Sequence, residues 1–143
     1  MIALEKLKAR LIADEGKVRH AYTDSEGWIT IGVGRLVDQR RGGGLSDDEI
    51  DYLLMNDIRK AEALARTYPW YESLDWPRQA VIVCMLFQLG LVGLNGFKKM
   101  REALERQDYA TAAIEMLNSR WQQQTSARAK RMADVMRTGV WLE

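Results

Sequence analysis

Leu4, Leu7, Leu11 and Ile12 recur at intervals of three and four, which predicts an opening helix that ends near Glu15, where Gly16 can take a left-handed cap. The period then changes. From Trp28 to Gly34 the apolar Ile29, Ile31 and Val33 alternate with Thr30 and Gly32, and the turn formers Asp24-Ser25-Glu26-Gly27 precede them. That pattern predicts a β-hairpin or small antiparallel sheet. Arg40-Arg41-Gly42-Gly43-Gly44 reads as a flexible loop, and Ser46-Asp47-Asp48-Glu49 has the Ser-x-x-Glu form of a capping box. A long helix is expected from there, with Ile50, Leu53, Leu54, Ile58, Ala61 and Leu64 on one face, until Tyr68-Pro69 stops it. Asp75 and Pro77 suit the start of another helix. Its segment Ala80 to Phe87 is apolar on every side, which predicts burial all round. Gly90, Gly93 and Gly96 punctuate the next stretch, and shorter helices are expected near Phe97 to Leu104, Tyr109 to Leu117 and Ser126 to Thr138, with Gly139 as the final cap.

These elements predict a mainly helical α+β fold with two lobes. The small lobe spans about 14–50 and carries the hairpin, the connecting helix spans about 47–67, and the helical lobe spans about 68–143 with the N-terminal helix packed on it. A cleft between lobes is the natural ligand site for such a fold.

Composition narrows the classes. A chain of 143 residues can bury about two-thirds of its unfolded surface, so it needs no staple, and its single cysteine, Cys84, has no internal partner. Cys84 sits in the apolar run and is expected to be an inert core thiol. Met1 to Arg10 already holds Glu5, Lys6 and Lys8, unlike a secretory signal, and the run Ala80 to Phe87 is too short for a bilayer. A soluble protein made without a leader is the expectation. With 21 basic and 20 acidic residues there is no global field to draw the chain to nucleic acid. Charge is concentrated only from Arg120 to Arg137, where Arg120, Arg128, Lys130, Arg131 and Arg137 face Asp134 alone. That run reads as a solvated helix face, with weak contact to anionic lipids as a further expectation. One histidine, His20, makes a zinc site improbable, no cofactor is implied, and a monomer is expected. Gly32-Val33-Gly34 lacks the third glycine and the βαβ unit of a dinucleotide loop, and reads instead as a strand with close backbone approach.

Glu15 is where local physics would not place it, because a carboxylate in the last helical turn faces the negative end of the macrodipole. The dipole is worth only about 0.3–1 kcal/mol, so partial burial would have to contribute most of any shift that keeps an acid protonated. Asp24, nine positions on, falls in the hairpin turn; Thr30 falls on the strand, facing away from Ile29 and Ile31. Glycosidases need such a pair, one carboxylic acid to protonate the leaving oxygen and one carboxylate to activate water or stabilise charge. Taken alone, an acidic pair at a helix end is more often a solvated surface feature.

The segments Asp14-Glu15-Gly16 and Tyr22-Thr23-Asp24-Ser25-Glu26-Gly27-Trp28-Ile29-Thr30-Ile31-Gly32-Val33-Gly34 resemble the active-site region of the T-even phage lysozymes, family twenty-four of the glycoside hydrolases. Phe87-Gln88-Leu89-Gly90, Gly96-Phe97, Ser119-Arg120-Trp121, Gln124-Thr125, Arg128-Ala129-Lys130-Arg131 and Arg137-Thr138-Gly139-Val140-Trp141 come in the same order, so the resemblance covers nearly the whole chain. It implies a muramidase that cuts the β-1,4 bond between N-acetylmuramic acid and N-acetylglucosamine in peptidoglycan, with inversion, and with Glu15, Asp24 and Thr30 on the catalytic triad. It also implies that Leu36 and Phe87 contact glycan, although both would serve equally as core residues, and that Glu26 pairs with Arg120. Of the five tryptophans, only Trp28 is expected at the sugar.

Three departures accompany the resemblance. Arg35 stands where the family prototype has histidine, Met100 and Glu115 replace small polar residues at glycan-contacting positions, and the segment between Gly34 and the long helix is shorter. The expected role is that of an endolysin held in the host bacterial cytoplasm, which depends on a separate membrane pore, a holin, to reach the wall. A non-catalytic wall-binding module and a lytic transglycosylase remain as alternatives.

Overall fold

The computed structural model describes residues 3–38 and 43–142, and the Arg40, Arg41 and Gly42 part of the expected loop lies outside them. The described residues form a mainly helical α+β fold with seven α-helices and one three-stranded antiparallel sheet. The chain divides into two compact units, Met1–Leu53 and Leu54–Glu143.

In the first unit, α1 (Leu4–Glu15) leads into the sheet β1 (Val18–Thr23), β2 (Ile29–Gly32) and β3 (Arg35–Leu36), in that order. Tyr22 pairs with Thr30 and Thr23 with Ile29, while Thr30 also faces Leu36 across the second ladder, which makes Thr30 the centre of the sheet. Gly16 does take a positive φ, but at ψ 163° rather than in the left-handed helical well; the extended ψ starts the path into β1. No residue of α1 is buried, and among the described residues of this unit only Thr30 is. The alternation of β2 therefore points the other way from hydrophobicity, with Ile29 exposed and Thr30 inside.

α2 (Asp47–Ala65) begins at the expected capping box: the Glu49 carboxylate accepts from the Ser46 amide at 2.9 Å and Ser46 Oγ accepts from the Glu49 amide at 3.3 Å. The helix runs across the division between the units. Ile50, Leu53 and Leu54 are exposed, and burial starts only at Ala61 and Ala65.

The core belongs to the second unit. Val81, Ile82, Met85, Leu94, Met100, Leu104, Met116, Val135 and Met136 are fully buried, drawn from α3 (Trp76–Asn95), α4 (Lys98–Glu105), α5 (Tyr109–Leu117) and α7 (Ser126–Thr138). α6 (Arg120–Gln124) joins them through buried Trp121, whose indole N–H donates to Gln88 Oε1 at 2.9 Å. The expectation that Ala80 to Phe87 is buried all round is corrected: Val81, Ile82, Met85 and Leu86 face the core, whereas Cys84 and Phe87 are exposed. Burial by one face suffices to explain the helix, since the other face need not be polar to be solvated singly. α3 is long and apolar enough to cross a membrane by length and composition, yet its inner face is spent on this core. Gly90, with φ 70° and ψ 179°, breaks α3 internally, in keeping with the punctuation expected of the glycines there.

Arg78 pins this unit. Its Nε donates to the Met136 carbonyl at 2.7 Å and its Nη2 to the Arg137 carbonyl at 3.2 Å, which satisfies the open C-terminal end of α7. Its guanidinium lies 3.8 Å over the Tyr109 ring and pairs with Asp75, the N-cap of α3. Removing a buried arginine leaves those carbonyls without donors, so Arg78→Met is expected to lower unfolding free energy by about 2–4 kcal/mol. Urea unfolding followed by tryptophan fluorescence checks this, with the exposed Arg66→Ala expected to change it by no more than about 0.5 kcal/mol.

Candidate active site

The two acids at the end of α1 have different surroundings. Asp14 is engaged by Arg10, one turn earlier, through contacts of 2.6 and 2.9 Å. Glu15, the last helical residue, lies instead against the turn between β2 and β3: a Cβ placed on Gly34 would fall 2.7 Å from Glu15 Oε2 and 3.1 Å from its Cδ. Gly34 also has φ 66°, a backbone conformation that favours glycine, and a methyl group added there would displace the flexible Glu15 carboxyl. The expectation that Gly32-Val33-Gly34 is strand is corrected, since β2 ends at Gly32 and Val33-Gly34 form the turn; it is this turn that approaches the Glu15 carboxyl.

Asp24 is held by the turn that it initiates. Its Oδ1 accepts from the Trp28 amide at 2.8 Å and from the Glu26 amide at 3.0 Å, while its own amide donates to the Trp28 carbonyl at 2.8 Å. This is the Asx geometry that Asp favours in turns, and fixing one carboxylate oxygen orients the other. Gly27 closes the loop at φ 86°. The Trp28 carbonyl also accepts from Thr30 Oγ1 at 3.2 Å, so one residue's backbone connects Asp24 to the buried threonine. Thr30 is buried at the centre of the sheet while Ile29 is exposed, and its hydroxyl is satisfied there by the Trp28 carbonyl.

Of the remaining sequence-predicted residues, Leu36 is half-buried on β3 opposite Thr30, Trp28 is half-buried and Glu26 exposed in the Asp24 turn. Phe87 on α3 and Arg120, the first residue of α6, belong to the second unit and are exposed. The geometry therefore brings together Asp24, Trp28, Thr30 and Leu36, and places Glu15 at the end of α1 in the same unit, its carboxyl beside the β2–β3 turn.

Arg35 pairs with Glu49, a contact the sequence pattern does not reveal because the capping box already accounts for Glu49. The Arg35 hydrogen bond, with that of the Ser46 amide behind it, holds the Glu49 carboxyl below the usual carboxylate range, and Glu49 raises Arg35 in turn. Met100 is a fully buried core residue of α4, and half-buried Glu115 lies on α5. Both line a pocket of about 710 Å³ in the second unit, together with Lys98, Lys99, Ser119 and Trp121. No periodicity or motif marks the two lysines in the sequence. The Cys84 thiol is exposed rather than in the core, but crowding by its neighbours pushes its pKa up, which opposes nucleophile formation. Among the described residues no group of three or more His, Cys, Asp or Glu is arranged to hold a metal.

The fold is of the lysozyme-like, mainly helical α+β class. Residues 13–137 match the phage lysozyme family, and the chain belongs to that family. It is similar to two proteins of Dictyostelium discoideum named probable T4-type lysozyme 2 and probable T4-type lysozyme 1. Each is 29% identical; the first match covers 98% of both chains and the second 96% of both. A third relative, the pre-baseplate central spike protein Gp5 of Enterobacteria phage T4, is 26% identical over 88% of this chain but only 26% of its own length. At the level of the family, the activity is that of a lysozyme, a glycoside hydrolase acting on peptidoglycan.

Gly34→Ala places a methyl group on the Glu15 carboxyl. Under the reading proposed below, in which Glu15 is the acid, misplacing it by 1 Å costs on the order of 100-fold, and the variant is expected to clear purified peptidoglycan about 10- to 100-fold more slowly. Far-UV circular dichroism should remain that of the wild type.

Proposed function

We propose that the chain is a muramidase that hydrolyses the β-1,4 bond between N-acetylmuramic acid and N-acetylglucosamine. Glu15 donates its proton to the glycosidic oxygen as the bond from that oxygen to the muramic acid C1 breaks. Water attacks C1 from the opposite face, with inversion, and its proton passes to Asp24. Thr30 Oγ1 and Asp24 hold that water in line. The observation that carries this reading is the placement of two carboxylates by different means in one unit: Glu15 against the Gly34 backbone, and Asp24 with one oxygen fixed by two amides. Two such groups provide the acid and the base that an inverting glycosidase needs.

Leu36, Trp28 and Phe87 are assigned to the glycan in this proposal, and Glu26 with Arg120 to placing the hairpin. The biological role is host-cell lysis by a monomer that collects in the bacterial cytoplasm and reaches the wall through a separately made holin pore. The outward residues Arg128, Lys130 and Arg131 of α7 suit weak contact with anionic lipids on that route.

Clearing of purified peptidoglycan, with mass spectrometry of the released fragments, tests the reaction. Wild type is expected to release muropeptides with reducing ends, and Glu15→Gln to lose at least about 1,000-fold in rate, in keeping with the loss of general acid catalysis. Anhydro ends, with Asp24→Asn still active, would instead identify a lytic transglycosylase. Binding by folded wild type without any release would identify a non-catalytic wall-binding module.

A further inference from the structure

Arg35 stands on the far side of the turn that carries Gly34, and its ion pair with Glu49 ties that turn to α2. Its Nη1 reaches Glu49 in the first turn of α2 and also donates to the Gly44 carbonyl at 3.3 Å. Gly44 in turn donates its amide to the Leu36 carbonyl at 2.9 Å, so the returning chain is tied both to the Arg35 side chain and to the β3 backbone. Glu49 Oε2 is itself fixed, because it accepts from the Ser46 amide at 2.9 Å as part of the capping box. A continuous path therefore runs from the start of α2 through Glu49 and Arg35 to its chain neighbour Gly34, where the Glu15 carboxyl occupies the space a Cβ would take.

We propose that Arg35 is a positioning residue for Glu15: by tying the β2–β3 turn to the N-terminus of α2 through Glu49, it holds the Gly34 backbone against the Glu15 carboxyl. The proposal rests on Glu15 being the acid. The short connection from Leu36 to Asp47 makes it feasible, since it leaves the first turn of α2 within reach of the hairpin. An exposed pair adds little to stability, but it can still restrict geometry in a unit where Thr30 is the one buried residue among those described. A single nitrogen, Nη1, makes both contacts, to the Glu49 carboxylate and the Gly44 carbonyl, so a lysine ammonium can take over the bridge.

The test compares Arg35→Met, Arg35→Lys and Glu49→Gln with wild type on soluble, uncross-linked peptidoglycan strands, and includes Glu15→Gln. Glu49→Gln keeps an acceptor for the Ser46 amide while removing the charge, so the helix start survives. A shift of the turn by a fraction of an ångström is expected to lower kcat about 10-fold in Arg35→Met and Glu49→Gln, with KM within about twofold. Arg35→Lys should recover kcat to within about threefold of wild type, and the Gly34 amide resonance should move in Arg35→Met and return in Arg35→Lys. Unchanged kcat in Arg35→Met would overturn the proposal. So would a rise in KM alone, which would make Arg35 a substrate contact, or a kcat loss that tracks thermal stability and is not recovered by lysine. Glu15→Gln separates the two claims: wild-type rates there would remove the acid reading itself, whereas an inactive Glu15→Gln beside a normal Arg35→Met would remove only the role of Arg35.

Discussion

The unit that carries both carboxylates buries almost nothing. Thr30 is its one buried residue among those described, while Leu4, Leu7, Leu11, Ile29, Val33 and Ile50 are all exposed. Apolar burial, worth about 25 cal/mol per Å², therefore cannot be what fixes the site within that unit. Its geometry depends on directional polar contacts: the amides of Glu26 and Trp28 on Asp24, the Trp28 carbonyl on Thr30, and the Ser46 amide and Arg35 on Glu49. Each is modest, about 0.5–1.5 kcal/mol for a neutral hydrogen bond, but each defines a direction that an apolar contact does not. Glycines complete the arrangement where the chain must turn under a side chain, most clearly at Gly34 beneath Glu15.

The second unit has the opposite character. Its helices meet over a continuous apolar cluster, and polar contacts appear where helix ends would otherwise be left open, at Asp75 and Arg78 above all.

Much of this is legible in the sequence, for reasons that differ residue by residue. α5 and α7 begin and end close to their expected bounds because an Asp108 cap and a glycine in the left-handed region at 139 are local signals, independent of the rest of the chain. The capping box at Ser46 and the antiparallel sheet after Asp24 are equally local. β1 is not delimited by pattern, because Val18 to Thr23 is mostly exposed and shows no alternation, and its partner is decided by the next turn. α6, at five residues, and the 3-10 turn Tyr71–Ser73 are too short for any period to register. Phe87 and Cys84 look buried in the sequence and are not, because composition alone gives no face to a helix that is apolar all round. Glu15, Asp24 and Thr30 stand out in the sequence through resemblance and misfit; the coordinates add that Arg10 engages Asp14 while Glu15 lies against Gly34.

Two arginines show how similar side chains come to differ in effect. Arg78 is buried, donates to two carbonyls and covers an aromatic ring, so its loss strands acceptors that water cannot easily reach, and the cost falls on stability. Arg35 is exposed, and water would replace its contacts with Glu49 and Gly44 almost without penalty. What water cannot replace is the constraint those contacts place on the chain between β2 and β3. Stability measurements register the first kind of residue and pass over the second, whose effect is on local geometry alone.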